Sequence, residues 1–98
     1  MIKVITGYKL KEGADIQPIL LKLRSHAMTY RGFVGGENLL NDKDVSIVAI
    51  ISTWENVEDW QAWESSTARQ EILQEAAPLL EEELRVAIYR IIPTVRWR

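Results

Sequence analysis

The stretch Ser52-Thr53-Trp54-Glu55-Asn56-Val57-Glu58-Asp59-Trp60-Gln61-Ala62-Trp63-Glu64-Ser65-Ser66-Thr67-Ala68-Arg69 decides how the chain is read, and it holds three of the four tryptophans. It begins as the end of an apolar strand and turns at Glu55-Asn56 into a helix. Asn56 is a good N-cap, because its side-chain oxygen can accept a hydrogen bond from a free amide of the first turn. Asp59 imitates the second half of a capping box and complements the helix dipole. Trp60 and Trp63 are three residues apart and so share one helix face. Two indoles there either fill a core or wall a pocket for a flat, apolar ligand.

Working upstream, Val45 to Trp54 is the strongest strand candidate. Val45, Ile47, Ala49 and Ile51 face one way, and Val48, Ile50 and Trp54 face the other. Both faces are apolar, so both call for cover. Asn41-Asp42-Lys43-Asp44 reads as a hairpin-like turn, and Phe33 to Leu40 as a strand carrying Gly35-Gly36. A glycine pair within a strand indicates a bulge or a close approach by another group. Gly32 ends a helix that Asp15 caps, with Pro18 tolerated in its first turn. Ile16, Ile19, Leu20, Leu23, Ala27 and Tyr30 form that helix's apolar face. The first strand runs from Met1 to Leu10, with Ile2, Val4, Thr6 and Tyr8 on one face and Ile5 on the other.

Downstream, Ser65-Ser66 offers a new N-cap for a helix over Thr67 to Ala77, which Pro78 breaks. Leu79 to Leu84 reads as a further turn or short helix. Arg85 to Ile92 is the last strand, with Val86, Ile88 and Ile92 on one face and Ala87, Tyr89 and Ile91 on the other. Residues 93–98 form a basic tail.

The element order is therefore β-α-β-β-α-β, an α+β, ferredoxin-like plan with a four-stranded antiparallel sheet and its helices on one face. The apolar open face must be buried elsewhere, and a second copy of the chain is the economical cover. A homodimer with its two sheets face to face is expected.

Size and composition agree with this plan. The chain has 98 residues, 47% hydrophobic and 27% charged, which suits one domain spanning 1–98. With no cysteine there is no disulfide, thiolate metal site or Cys nucleophile, and a cytoplasmic location is expected. A formal net charge of −2 gives no reason to expect nucleic acid as a partner. Lys3 and Gly7 interrupt the apolar N-terminus, so neither a signal peptide nor a membrane span is expected. The glycines form no phosphate loop or dinucleotide fingerprint.

Gly32-Phe33-Val34-Gly35-Gly36-Glu37, Ile51-Ser52-Thr53-Trp54 and Glu58-Asp59-Trp60-Gln61-Ala62-Trp63-Glu64-Ser65-Ser66, followed by Arg69, Leu79-Leu80 and Val86-Ala87-Ile88-Tyr89, carry a resemblance. Over nearly its whole length the chain resembles the antibiotic biosynthesis monooxygenase domain family of the dimeric α+β barrel superfamily. The resemblance implies oxygenation of a quinol-like or polyphenolic substrate by dioxygen without a cofactor. In the family's haem-degrading branch the functional Asn, Trp and His positions fall here on Thr6, Trp63 and Leu73. Leucine cannot ligate iron, so that branch is disfavoured. In the quinol-oxidising branch an Asn and a Tyr accompany the Trp, and their places fall near Asp59 and Arg69.

A deprotonated dihydroxy aromatic can hand an electron to dioxygen itself. The protein then has to bind the ring, manage the proton and stabilise the anion. Trp60 or Trp63 can stack on the ring. Asp59 is the candidate base, provided that burial raises its pKa, and Arg69 the candidate phenolate holder. Thr6, Tyr8, Trp60 and Leu73 complete the expected substrate site, with no metal. Each residue also has a structural alternative. Trp63 can be core filler, Asp59 a first-turn helix residue, Arg69 the partner of Glu64, Thr6 an ordinary strand residue and Tyr8 a packing residue. His26 has no second histidine or cysteine to share a metal with. The other reading of the whole chain is a dimeric binding or interaction module of the same fold, without turnover.

Overall fold

The computed structural model of the chain describes residues 1–93, so the basic tail assigned to 93–98 lies almost wholly outside it. The elements are β1 (Ile2–Lys9), α1 (Gln17–Ala27), β2 (Phe33–Leu40), β3 (Ile47–Trp54), α2 (Val57–Glu64), α3 (Thr67–Ala76), a 3₁₀ turn (Ala77–Leu79) and β4 (Arg85–Arg90). The strands form one sheet in the order β2-β3-β1-β4, with every neighbouring pair antiparallel. This is the expected ferredoxin-like α+β arrangement.

The alternation in the strands carries through to the sheet. Ile2, Val4, Thr6 and Tyr8 of β1 are all buried under the helices. Val48 and Trp54 of β3 are buried on the same side, opposite Tyr8 and Ile2 in the register. Ile5 pairs with Ile51 on the other, open face. In α1 the apolar stripe Ile19, Leu20, Leu23 and Ala27 turns inward. Trp54 and Val4 are fully enclosed. Burying a side chain of this kind stabilises the fold by about 1.5–3 kcal/mol.

The local signals hold with adjustments at the ends. Asn56 caps α2, its side-chain oxygen accepting the Asp59 N–H at 2.9 Å. Ser66 caps α3 in the same way, accepting from the Arg69 N–H at 3.2 Å. Asp15, expected as the cap of α1, sits one residue too early. Ile16 is the N-cap, and the Asp15 carboxylate accepts the Gln17 N–H at 3.0 Å from just outside the helix. β3 starts at Ile47 rather than Val45, because Asp44 holds the turn closed by accepting from the Ser46 N–H and hydroxyl. Leu79 ends the 3₁₀ turn, and Leu80 to Leu84 forms no helix. After the 3₁₀ turn, Leu80 bridges to Leu10 and the Glu81 N–H donates to the Lys9 carbonyl, which ties the approach to β4 onto the end of β1. β4 ends at Arg90, two residues short of Ile92.

Two glycines near the site leave little room for a side chain. Gly32 has φ +82°, and a Cβ there would also overlap the Asp59 carboxylate. The register shifts between Phe33 and Gly35, the irregularity that the glycine pair implies. At Gly36 a Cβ would lie 3.1 Å from the Ile51 carbonyl oxygen and 3.3 Å from an Arg24 guanidinium nitrogen.

The helices leave the other side of the sheet open. Ile47, Leu39 and Tyr89 are exposed there, alongside the half-buried Ile5, Ala49 and Ile51. No helix among the described residues is long and apolar enough to cross a membrane.

Candidate active site

A cavity of about 50 Å³ lies between the sheet and the helices. Alternation along β1 aims Thr6 and Tyr8 into it, and along β3 it aims Ile50, Ser52 and Trp54. β2 supplies Phe33, Gly36 and Asn38, while α1 supplies Leu20, Leu23, Arg24 and Ala27. From the tryptophan segment come Trp60 and Trp63, and from the first turn of α3 comes Arg69.

The aromatic rings are packed edge to face. Trp54 meets Phe33 at a centroid distance of 5.2 Å and Trp60 at 6.0 Å, and Trp63 meets Tyr30 at 5.0 Å. This geometry suits the ring quadrupoles and makes the wall stiff. The Trp54 indole N–H donates to the Ser52 hydroxyl at 3.1 Å. The Trp60 indole N–H is buried with no partner. A buried donor of this kind favours an acceptor brought in by a ligand or water.

Arg69 is only 8% exposed. Its guanidinium carbon stands 5.2 Å from the centroid of the Trp60 ring, and one nitrogen donates weakly to the Glu64 carbonyl at 3.5 Å. Burial lowers its pKa, opposed by the charges of Tyr8 and Glu64. Arginine still keeps its charge at neutral pH, because its ordinary value is so high. Tyr8 is buried, and loss of hydration pushes its hydroxyl up to about 12, with Arg69 pulling the other way. At neutral pH Tyr8 is therefore a neutral hydroxyl beside a cation.

Five of the residues singled out in the sequence thus meet in one place: Thr6, Tyr8, Trp60, Trp63 and Arg69. Two do not reach the cavity. Leu73 packs at the margin of the core, because Ile72 takes the buried position on α3. Asp59 points at the backbone of Gly32, where one carboxylate oxygen is buried without a partner. Asp59 is thus engaged with the turn that precedes β2, whose first residue, Phe33, does line the cavity. Three polar wall residues were not singled out in the sequence: Arg24, Asn38 and Ser52. Arg24 left a signal, lying four residues after Leu20 and three before Ala27 at the border of the apolar stripe. Asn38 and Ser52 left one too, as polar residues on strand faces directed at the helices.

The wall holds two guanidinium groups and no carboxylate or imidazole. Such a site lowers the pKa of a bound phenol, because nearby positive charge favours the anion. It does not suit haem. The one histidine, His26, is exposed on α1, and the Tyr8 hydroxyl is held neutral by burial.

The fold and this aromatic, cationic cavity define the class: a small ferredoxin-like α+β domain with a site between its helices and its sheet. The antibiotic biosynthesis monooxygenase family model matches residues 1–75, and the chain belongs to that family. Among solved structures, SnoaB from Streptomyces nogalater, a cofactor-independent oxygenase, superposes with a TM-score of 0.84 at 10% identity, covering 96% of this chain and 95% of its own. Rv0793 from Mycobacterium tuberculosis gives 0.84 at 9% identity, with 97% and 98% covered. A conserved protein from Methanosarcina mazei gives 0.82 at 16% identity, with 91% and 90% covered. At such identities the likeness concerns the fold. No curated protein matches the chain by sequence.

Proposed function

We propose that the protein is a cofactor-independent monooxygenase that oxidises a quinol-like or polyphenolic molecule with dioxygen. The observation that carries this reading is the cavity wall: edge-to-face aromatic rings with two guanidinium groups and no acid. The substrate ring stacks against Trp60 and Trp63, and its ionised hydroxyl lies against Arg69, within reach of the Tyr8 hydroxyl and the unpartnered Trp60 N–H. The bound phenolate transfers an electron to dioxygen, and the resulting radicals combine to a peroxide that collapses. A quinol plus dioxygen gives a hydroxyquinone plus water, with all the electrons drawn from the substrate.

The reading needs no protein base in the cavity. Arg69 stabilises the phenolate directly, and the proton leaves to solvent. Asp59, outside the wall, is given no part in the chemistry. The active form is a homodimer covered through the open sheet face, supported by the exposed Ile47, Leu39 and Tyr89 there.

One observation favours the second reading, and within it an interaction module rather than a ligand binder. About 50 Å³ holds a few water molecules, far below the roughly 300–1,000 Å³ of ordinary ligand pockets. A ring enters only if wall side chains give way. Oxygen uptake with hydroquinones, set beside calorimetric binding of the same compounds without oxygen, separates the two: no uptake selects the module, and no binding either selects its interaction form.

A further inference from the structure

A second, larger cleft of about 890 Å³ opens between α1 and the outer ends of β2 and β3. Its floor and rim are largely apolar, and Leu21, Leu40 and Val45 stand exposed around it. The inner cavity and this cleft share three residues: Leu20, Arg24 and Asn38. Arg24 is half-buried at that junction. Its side chain forms no ion pair and donates no hydrogen bond among the described residues, unlike Lys22 two residues earlier, which pairs with Glu75 at 2.9 Å. The absence of a Cβ at Gly36 gives its guanidinium room over β2. The one acid lining either space is Asp15. It lies nine residues earlier in the chain, just before the start of α1.

An arginine held between two apolar spaces without a carboxylate partner is a site for a planar anion. We propose that Arg24 is a specificity residue that selects substrates bearing a carboxylate next to the hydroxylated ring. The ring occupies the inner cavity, the carboxylate meets Arg24 at the junction, and any apolar extension lies in the outer cleft. Asp15, at the far end of that cleft, repels the anionic end and so favours this orientation over the reverse. The inference rests on the reading of the inner cavity as the ring site, but it concerns recognition and not oxygenation.

The test is calorimetric titration under argon with a matched pair of probes, 3-hydroxy-2-naphthoate and 2-naphthol. The wild-type protein is expected to bind the carboxylate about tenfold or more tightly than the naphthol. Arg24→Met is expected to bring that ratio close to one while leaving the naphthol affinity nearly unchanged. Arg24→Lys, which keeps the charge, is expected to retain part of the preference, and Arg69→Met to retain most of it. Equal affinities in the wild type, binding of neither probe, a preference that survives Arg24→Met, or one lost only in Arg69→Met would overturn the assignment. Because the titrations contain no oxygen, a flat oxygen trace beside a clear carboxylate preference sinks the oxygenase reading alone. Oxygen uptake with neutral quinols and a ratio of one sinks the Arg24 assignment alone.

Discussion

The guanidinium of Arg69 lies over the indole of Trp60, 5.2 Å from the ring centroid, and both side chains are buried in the wall of one cavity. The contact fixes a positive charge beside an aromatic surface on which a substrate ring can stack. Arg69→Met keeps most of the side-chain volume and removes the charge. Loss of the cation–π contact costs about 0.5–2 kcal/mol, partly offset because a desolvated charge is gone. The variant is therefore expected to melt close to wild type and to lose about 100-fold in kcat/KM for a quinol substrate. Steady-state kinetics beside a thermal melt check it. Unchanged kcat/KM would remove Arg69 from the site.

Asp59 gives the opposite expectation. Its carboxylate faces Gly32 and not the cavity, so Asp59→Asn should keep turnover within about twofold, a change of under 0.5 kcal/mol in the barrier. A loss of 100-fold with an intact melt would restore it as the base.

Gly32 and Asp59 should be coupled in stability. Gly32→Ala places a methyl group at φ +82° and against the Asp59 carboxylate. The strained backbone alone costs about 1–3 kcal/mol, and the overlap adds to it. Truncating Asp59 to Ala in the same chain removes the carboxylate from that overlap, so part of the cost should return. Denaturant unfolding of the two single variants and the double variant measures the coupling. Strict additivity would contradict the contact.

Tyr8 sets a pH expectation. Its folded pKa of about 12 lies above the ordinary phenol value of 10.0, so the neutral form is the one the fold prefers. The stability that follows is fully present below about pH 10 and is lost as pH rises toward 12. Ultraviolet titration of tyrosinate should show one tyrosine ionising late, together with unfolding, and Tyr8→Phe should abolish that late component. Ionisation of all the tyrosines near pH 10 in the folded protein would contradict it.

The open face sets an expectation for assembly. Ile5 and Ile51 pair across β1 and β3 on that face. Ile51→Asp puts a charge at its middle, which a face-to-face dimer cannot bury without a partner. Sedimentation should find a dimer for the wild type and a folded monomer for the variant. A monomeric wild type at micromolar concentration would contradict the assembly.

Much of this architecture is legible in the residues themselves. Period-two alternation in Ile2-Val4-Thr6-Tyr8 and in Val48-Ile50-Trp54 marks which strand face lies under the helices, and Asn56 and Ser66 mark helix starts by their own hydrogen-bonding chemistry. The site is legible only as far as those patterns reach. Alternation aims Thr6 and Tyr8 inward, and helical spacing does the same for Trp60 and Trp63. Neither pattern says what lies above a given turn of helix. Asp59 meets the turn at Gly32 instead of the cavity, a contact between segments far apart in sequence. Leu73 yields its place to its neighbour Ile72 through the roll of α3 on the core. The spacing of Arg24 from Leu20 and Ala27 marks it as a border residue of α1, but not that Gly36 of β2 lies against its guanidinium.

The central claim is that the cavity lets a quinol react with dioxygen unaided. The most direct measurement is dioxygen consumption by metal-stripped protein with a panel of hydroquinones and polyphenols, each against its own autoxidation rate. Uptake above that background, with one dioxygen consumed per hydroxyquinone formed and abolished by Arg69→Met, is the predicted result. A trace no faster than autoxidation with compounds shown by calorimetry to occupy the site would contradict the claim.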